Sequence, residues 1–280
     1  MDWWNHIPEH INPNIIEIGS FRIRHYGLMY IVALLITYLL VMRRLKKERY
    51  QYSKTAIQQY SVWAVLGILI GARLGFVLFY DLTYYIAHPL KIILPFEYSN
   101  GFRYLGIAGM SYHGGLVGAI LATLFFCCRN KISFWHFADL FSPAIPLGYT
   151  FGRIGNFLNG EVYGRVTSVP WGMYFPLDDS GQLRHPSQLY EALFEGIFLF
   201  IILWSLRKKR VFDGFHFCLY IIGYGIARFL IEFVREPNPG LGSILHFFTM
   251  GQVLCIAMIL SGLFIMLTKI TRQNKTASIQ

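Results

Sequence analysis

Charge is what this 280-residue sequence has least of: Asp, Glu, Lys and Arg make up 14% of it, against a hydrophobic fraction of 55%. A soluble chain of this size carries roughly a quarter of its residues charged. This chain therefore cannot cover a water-facing surface, and lipid must be most of its solvent. Acids are the scarcer sign, 15 against 25 bases. The surplus does not point to nucleic acid. The bases lie in short runs between apolar segments, where anionic lipid head groups meet them, and no aromatic-plus-basic groove accompanies them. Cysteine is equally sparse. Cys127, Cys128, Cys218 and Cys255 all lie in apolar runs without CxxC or metal-ligand spacing, which argues against a disulfide framework and a zinc site. There is no GxSxG elbow, P-loop, HExxH or paired-aspartate motif, and His136 with Asp139 is too little for a metal. No acyl-enzyme, metal or cofactor is expected. Residues 1–18 hold acids and a Trp pair rather than a basic stretch before an apolar core, so no cleavable leader is expected.

What the sequence does have is long apolar runs. A spanning helix needs about 20 predominantly apolar residues. Seven stretches are candidates: 26–42, 61–80, 114–128, 137–157, 189–206, 215–234 and 250–268. The fourth contains Pro143, Pro146, Gly148, Gly152 and Gly155, so a kink or break is expected there. Such backbone persists at membrane depth only against protein or a water-filled cavity. The basic runs 43–49, 129–131 and 207–210, with Lys269, Arg272 and Lys275, fall in alternate connections. By the positive-inside rule these are cytoplasmic, which puts the N-terminus outside and the C-terminus inside. The expectation is an all-α polytopic membrane protein, residues 1–280 forming one membrane-embedded domain of seven transmembrane helices. Residues 15–18 and 21–24 flank Gly19-Ser20 as a small hairpin. The segment 158–188 mixes β-formers with turn signals and is expected to form a small extracytoplasmic cap. No internal repeat supports an inverted-repeat transporter.

The informative residues are the polar ones at membrane depth, each costing about 2.5–3.5 kcal/mol when charged near the bilayer centre. Arg73, Arg153, Arg228, Glu191, Glu195, Glu232 and Asn156 lie in the spans, with His113 at the mouth of the third. In Gly152-Arg153-Ile154-Gly155-Asn156, helical spacing projects 153 and 156 to one side. The arginine, Asn156, Asn159 and glycine-exposed backbone amides make an anion cradle. Arg153 can equally pair with Glu161 or Glu232 to hold helices together, and from the residues alone both readings stand. Tyr224, Arg228 and Glu232 share a helix face, with Arg235 one turn on. Arg228 can neutralise Glu232, or it can offer a bidentate fork to a phosphodiester. Glu191 and Glu195, one turn apart, need a cation or a raised pKa, and Arg73 is a candidate for the cation. His113, beside Gly114 and Gly115, can serve as a general base or simply as a hydrogen-bonding residue.

Taken together, these residues resemble the bacterial prolipoprotein diacylglyceryl transferases. The resemblance is carried by GRIGNFLNGEVYG at 152–164, supported by RHYGLMY (24–30), SYHGGLVG (111–118), HPSQLYE (185–191) and YGxxRFxxEFxR (224–235). It covers nearly the whole chain and is least specific over 81–105 and the last residues. It implies a multi-pass enzyme of the bacterial inner membrane that moves the diacylglyceryl group of phosphatidylglycerol onto the lipobox cysteine thiol of a prolipoprotein signal peptide, a lipidation step of lipoprotein biosynthesis. Glycerol phosphate would be released. The partners expected are phosphatidylglycerol, the prolipoprotein and membrane lipids, with the enzyme itself a monomer. On this reading Arg153, Asn156 and Arg228 hold the phosphate, and Asn159 and Gly164 complete the binding segment. Glu161 and Glu232 position the arginines, and His113 takes the thiol proton with help in orientation from Tyr26. The rivals are a transporter lined by Arg73, Arg153 and Arg228, or a scaffold whose buried charges only pair helices. The polar residues sit mainly toward the outer half, which favours a lipid-accessible active site.

Overall fold

In the computed structural model, described for residues 2–18, 21–48, 50–80, 82–93, 96–97, 103–104, 109–236, 243–244 and 248–277, the chain is predominantly helical. The helices used below are α1 (His25–Lys47), α2 (Lys54–Tyr80), α3 (Tyr112–Arg129), α4 (Phe134–Phe141), α5 (Ile145–Leu158), α6 (Ser187–Leu206), α7 (Phe215–Ile231) and α8 (Met250–Ala277). Four of them, α1, α2, α6 and α8, are long and apolar enough to cross a bilayer. Their outward side chains are those of a lipid-facing surface: Leu35, Ile70, Ile201 and Phe264 are all exposed. The stretch 137–157 is not one helix. It breaks between α4 and α5, where Pro143 cannot donate the next helical hydrogen bond and Pro146 sits in the first turn of the new helix. The hairpin strands are present as Asn14–Ile18 and Phe21–Arg24, while Gly19 and Ser20 of its turn lie outside the described residues.

The chain divides into two compact units. One comprises residues 17–22 and 49–137 and is built on the pairing of α2 with α3. Lipid tails are as apolar as leucine, so such a pair gains from close packing rather than from the hydrophobic effect. Its contact is glycine on glycine: a Cβ added to Gly71 would lie 2.4 Å from the Gly114 carbonyl oxygen, and one on Gly118 would lie 2.0 Å from that of Gly67. Gly114 therefore has a packing duty, separate from its place beside His113. Ser111 caps α3 by accepting from the Gly114 amide at 3.3 Å. Arg73 donates to the backbone carbonyls of Ile92 (2.8 Å), Lys91 (2.7 Å) and Gly109 (3.2 Å). Gly118→Leu should separate the two helices, since no side chain can shrink the backbone it meets. Tryptic digestion in detergent should then cut between residues 49 and 137 well before the wild type. Equal protease resistance would mean the glycine contact is dispensable.

The other unit contains residues 1–16, 23–48 and 138–280. Here α5 is the central strut. Gly148 and Gly155 admit α1, with Ala33 and Thr37 against the first and Tyr26 and Met29 against the second. Thr150 fills the space beside Gly196 of α6, and α7 packs on α8. Midway along α6 the residues Ala192–Phe198 widen into a π-helical segment. At the far end of α1, Arg44 is fully buried and donates to the carbonyls of Asp139 and Leu140 at 2.6 Å each, while its Nη2 pairs with Glu48 at 2.8 Å. The Asp139 carboxylate accepts from the amides of Gly214 (2.8 Å) and Phe217 (3.0 Å), capping α7.

The segment 161–185 folds as an irregular module closed by isolated bridges, Gly164 to Arg235 and Arg184 to both Val166 and Met173. Phe157, Met173 and Phe175 form its core with Ile7, Ile11 and Leu189 around them. Asn5 pins the module by donating to the carbonyls of Pro170 (3.2 Å) and Gly172 (2.6 Å). The Arg184 guanidinium, 2.6 Å from Asp178, holds that carboxyl down at about 2, so the clasp stays charged across the physiological range.

Candidate active site

Three helices of the second unit bring their polar residues to one cluster. From α5 come Tyr149, Arg153 and Asn156, which share a face by their i, i+4 and i+3 spacing. Glu191 and Glu195 come from α6, and Arg228 from α7 with Glu232 and Arg235 just past its end. Glu191 is the hub. Its carboxylate, fully buried, lies 2.7 Å from Arg153 Nε, 3.2 Å from Arg228 Nη1 and 3.5 Å from Arg235 Nε. Arg228 also pairs with Glu232 at 3.0 Å and lies 3.7 Å from Glu195. Tyr149 hydroxyl donates to Glu195 and accepts from Arg153 Nε at 2.6 Å, while the Arg153 guanidinium stacks over the Tyr149 ring.

Arg153 then reaches outward. Its Nη1 donates to Asn156 Oδ1 at 3.2 Å, and Asn156 Nδ2 donates to Glu161 Oε1 at 2.9 Å. Glu161 thus positions Arg153 through the asparagine amide rather than by direct contact. Its own backbone carbonyl is held by Gln188 Nε2 at 2.8 Å. On the other side, Glu232 accepts from Thr249 Oγ1 at 3.1 Å, and the absence of a side chain at Gly251 makes room for its carboxylate. Three arginines against the buried Glu191, Glu195 and Glu232 make an interior whose charges are mutually compensated, as burial demands. The exposure is uneven, however: Arg153, Arg228 and Arg235 keep 14–16% of their side-chain surface while the three acids keep 0–4%. The cations therefore form the outward layer over a carboxylate floor. Gly152, beside them, faces open space, with nothing within 4 Å of an added Cβ. Fixed guanidinium forks on a rigid floor can bind a tetrahedral oxyanion without reorganising.

Of the residues expected from sequence, Arg153, Asn156, Glu161, Arg228 and Glu232 converge here. Asn159 follows at the end of α5, its buried Oδ1 without a hydrogen bond among the described residues. Gly164 is filled in rather than open: its amide donates to His185 at 2.8 Å, and an added Cβ would lie 2.4 Å from the Val234 carbonyl oxygen. Tyr26 donates its hydroxyl to Tyr30 at 2.9 Å, and its Cα lies where α1 crosses Gly155. His113 occupies the first turn of α3, and its side chain lies outside the described residues. The cation for Glu191 and Glu195 is not Arg73, whose guanidinium is committed to the carbonyls named above. Arg153, Arg228 and Arg235 serve instead. Tyr149, Glu191, Glu195 and Arg235 belong to the cluster although sequence reasoning did not place them in the site. The signal for the two glutamates was their unpaired like charge one turn apart.

A family model described as prolipoprotein diacylglyceryl transferase matches residues 13–268. The chain belongs to that family. A relative from Chlorobaculum tepidum is 51% identical over 94% of this chain and 92% of its own length. One from Campylobacter jejuni is 44% identical, covering 95% of this chain and 96% of the relative. Another from Campylobacter hominis is 42% identical over 99% and 97%. All three carry the name phosphatidylglycerol–prolipoprotein diacylglyceryl transferase. In a prolipoprotein diacylglyceryl transferase the question is whether the enzyme uses a thiol of its own. Cys127, Cys218 and Cys255 are buried and Cys128 is exposed, and burial disfavours the thiolate that a nucleophile needs.

Proposed function

We infer that the arginine layer over Glu191, Glu195 and Glu232 is where this enzyme transfers the diacylglyceryl group of phosphatidylglycerol to the lipobox cysteine thiol of a prolipoprotein. The observation that carries the site assignment is the pair of outward guanidiniums, Arg153 and Arg228, fixed from behind by one buried carboxylate and opening beside Gly152. In the reaction the cysteine sulfur attacks the glyceryl carbon, a C–S bond forms, and the C–O bond to phosphate breaks. Glycerol phosphate leaves, and its phosphate gains a negative charge. Arg153, Asn156 and Arg228 offset that charge as it develops. Glu232 holds Arg228, and Glu161 holds Arg153 through Asn156. Asn159 and Gly164 shape the binding segment. His113 accepts the thiol proton, with Tyr26 orienting it, because a free thiol of pKa about 8.5 is only slightly ionised at neutral pH. The decisive assay uses the reconstituted enzyme, phosphatidylglycerol and a lipobox peptide, with the peptide mass as readout. A mass gain equal to one diacylglyceryl group, absent with phosphatidylcholine, is expected. An unmodified thiol would refute the assignment.

The His113 role has its own test. General bases contribute about 10²–10⁴-fold, so His113→Gln should lower turnover by that order while leaving phosphatidylglycerol affinity near wild type. Wild-type activity should fall on acidification as the imidazole protonates, and the variant should lose that limb. A variant that keeps both full turnover and the acid limb would make His113 structural.

The chain is further proposed to cross the bacterial inner membrane seven times as a monomer, with α4 and α5 together making the fourth crossing and 158–188 capping the outer side. The four separated basic runs support this orientation. Reporters fused at Lys47, Arg129, Lys208 and the C-terminus should read cytoplasmic, and one at Asp179 exterior. A cytoplasmic signal at Asp179 would overturn the seven-span reading.

A further inference from the structure

Roughly 20–25 Å from Glu191, measured along α6 at about 1.5 Å per residue, a second cationic site lies where α1 and α6 end. A cleft of about 320 Å³ is lined by Arg43, Lys47 and Glu48 from the first and Trp204, Arg207 and Lys208 from the second. Its single acid is already committed. Glu48 pairs with buried Arg44 at 2.8 Å and with Arg207 at 3.2 Å, and its backbone carbonyl accepts from Arg210 at 2.6 Å. Arg207 also stacks on the Trp204 ring, 4.8 Å from its centroid. Arg43, Lys47 and Lys208 make no ion pair among the described residues, and all three are exposed. Three like charges gathered in one cleft repel one another unless an anion joins them.

The approach to this cleft is apolar. On α1, Leu35 and Leu39 precede Arg43 and Lys47 at four-residue intervals, which puts all four on one stripe. On α6, Ile201 stands one turn before Trp204, with Ile197 in the preceding turn and Arg207 and Lys208 just past the helix end. Leu35, Leu39, Ile197 and Ile201 are all exposed. Both sides thus carry hydrocarbon into cations, with the Trp204 indole at the boundary on α6, the order in which a membrane presents acyl chain, interface and head group. A soluble phosphate would need the cations alone. We propose that this cleft binds the phosphate-bearing head group of an anionic phospholipid, its acyl chains lying along the two stripes, at a site separate from the catalytic cluster.

The test uses phosphatidylserine, which is anionic, with native mass spectrometry of the purified full-length enzyme titrated with the lipid. Arg43→Gln/Lys208→Gln removes two exposed cations that make no ion pair among the described residues, so folding and transfer activity should persist. Each basic residue near a lipid surface is worth about fivefold in affinity, so the double variant should bind roughly 30-fold more weakly. Arg153→Gln, which alters the catalytic cluster, should leave this binding unchanged. Affinity equal to wild type in the double variant would overturn the proposal. So would loss of the bound lipid in Arg153→Gln, which would place it among the catalytic arginines. Displacement by millimolar inorganic phosphate would assign the cleft to a free anion and overturn it too.

Discussion

Arg153→Lys should reduce diacylglyceryl transfer by about 10²–10³-fold, close to the loss in Arg153→Ala. An ammonium can still sit near Glu191, so the buried charge stays compensated and the fold should survive. It cannot reproduce the guanidinium geometry, in which Nε faces Glu191 and Tyr149 while Nη1 donates to Asn156. Removing one preorganised donor to a developing oxyanion has an effect of this size. The pair of variants separates two readings of the residue. If Arg153 only joins α5 to α6, lysine restores most of the activity and alanine loses stability. If it meets the phosphate, both are inactive and lysine melts like wild type. Turnover of the peptide thiol and a thermal melt in the same detergent decide between them. Near-normal turnover in Arg153→Lys would remove the residue from the phosphate site.

Glu191→Ala should destabilise the protein by about 3–5 kcal/mol, the range for breaking a buried ion pair from one side. The carboxylate is wholly buried and three guanidiniums converge on it. Without it, Arg153, Arg228 and Arg235 repel one another across a low-dielectric space. The double variant Glu191→Ala/Arg153→Ala should lose less than the sum of the two single changes, because each removes the other's reason to be charged. Equilibrium unfolding in mixed micelles measures both quantities. A single-variant loss under about 1 kcal/mol would show that Glu195 and Glu232 carry the floor without it.

The local features of this fold were legible in the sequence, and the pairings between distant segments were not. Four of the seven apolar stretches lie in helices long and apolar enough to cross a bilayer, and the break in 137–157 falls beside the prolines that predict it. Helical spacing correctly put Arg153 with Asn156, and Arg228 with Glu232. The cross-helix partners were opaque because they depend on how α5, α6 and α7 meet. Glu191 lies 38 residues from Arg153 and 37 from Arg228, and nothing in either local pattern specifies the match. Arg73 shows a different limit. Its acceptors are backbone carbonyls, which every residue carries, so sequence offers no way to single them out. Gly114 stands beside His113 in sequence, yet its space belongs to Gly71. A glycine that admits a ligand and one that admits a helix look alike until the neighbour is known.

The π-helical segment Ala192–Phe198 sets apart the facing of the two halves of α6. An inserted residue in a helix turns everything beyond it by about 100°, and a π-segment absorbs such an insertion without breaking the rod. On one side of it Glu191 faces the arginines; on the other Ile201 faces outward. Removing one residue from 192–198 would return the segment to an ordinary spiral and rotate one half against the other. Either the acid floor or the outward stripe would then point the wrong way. This stretch should therefore tolerate exchange of its apolar side chains far more readily than any change in its length.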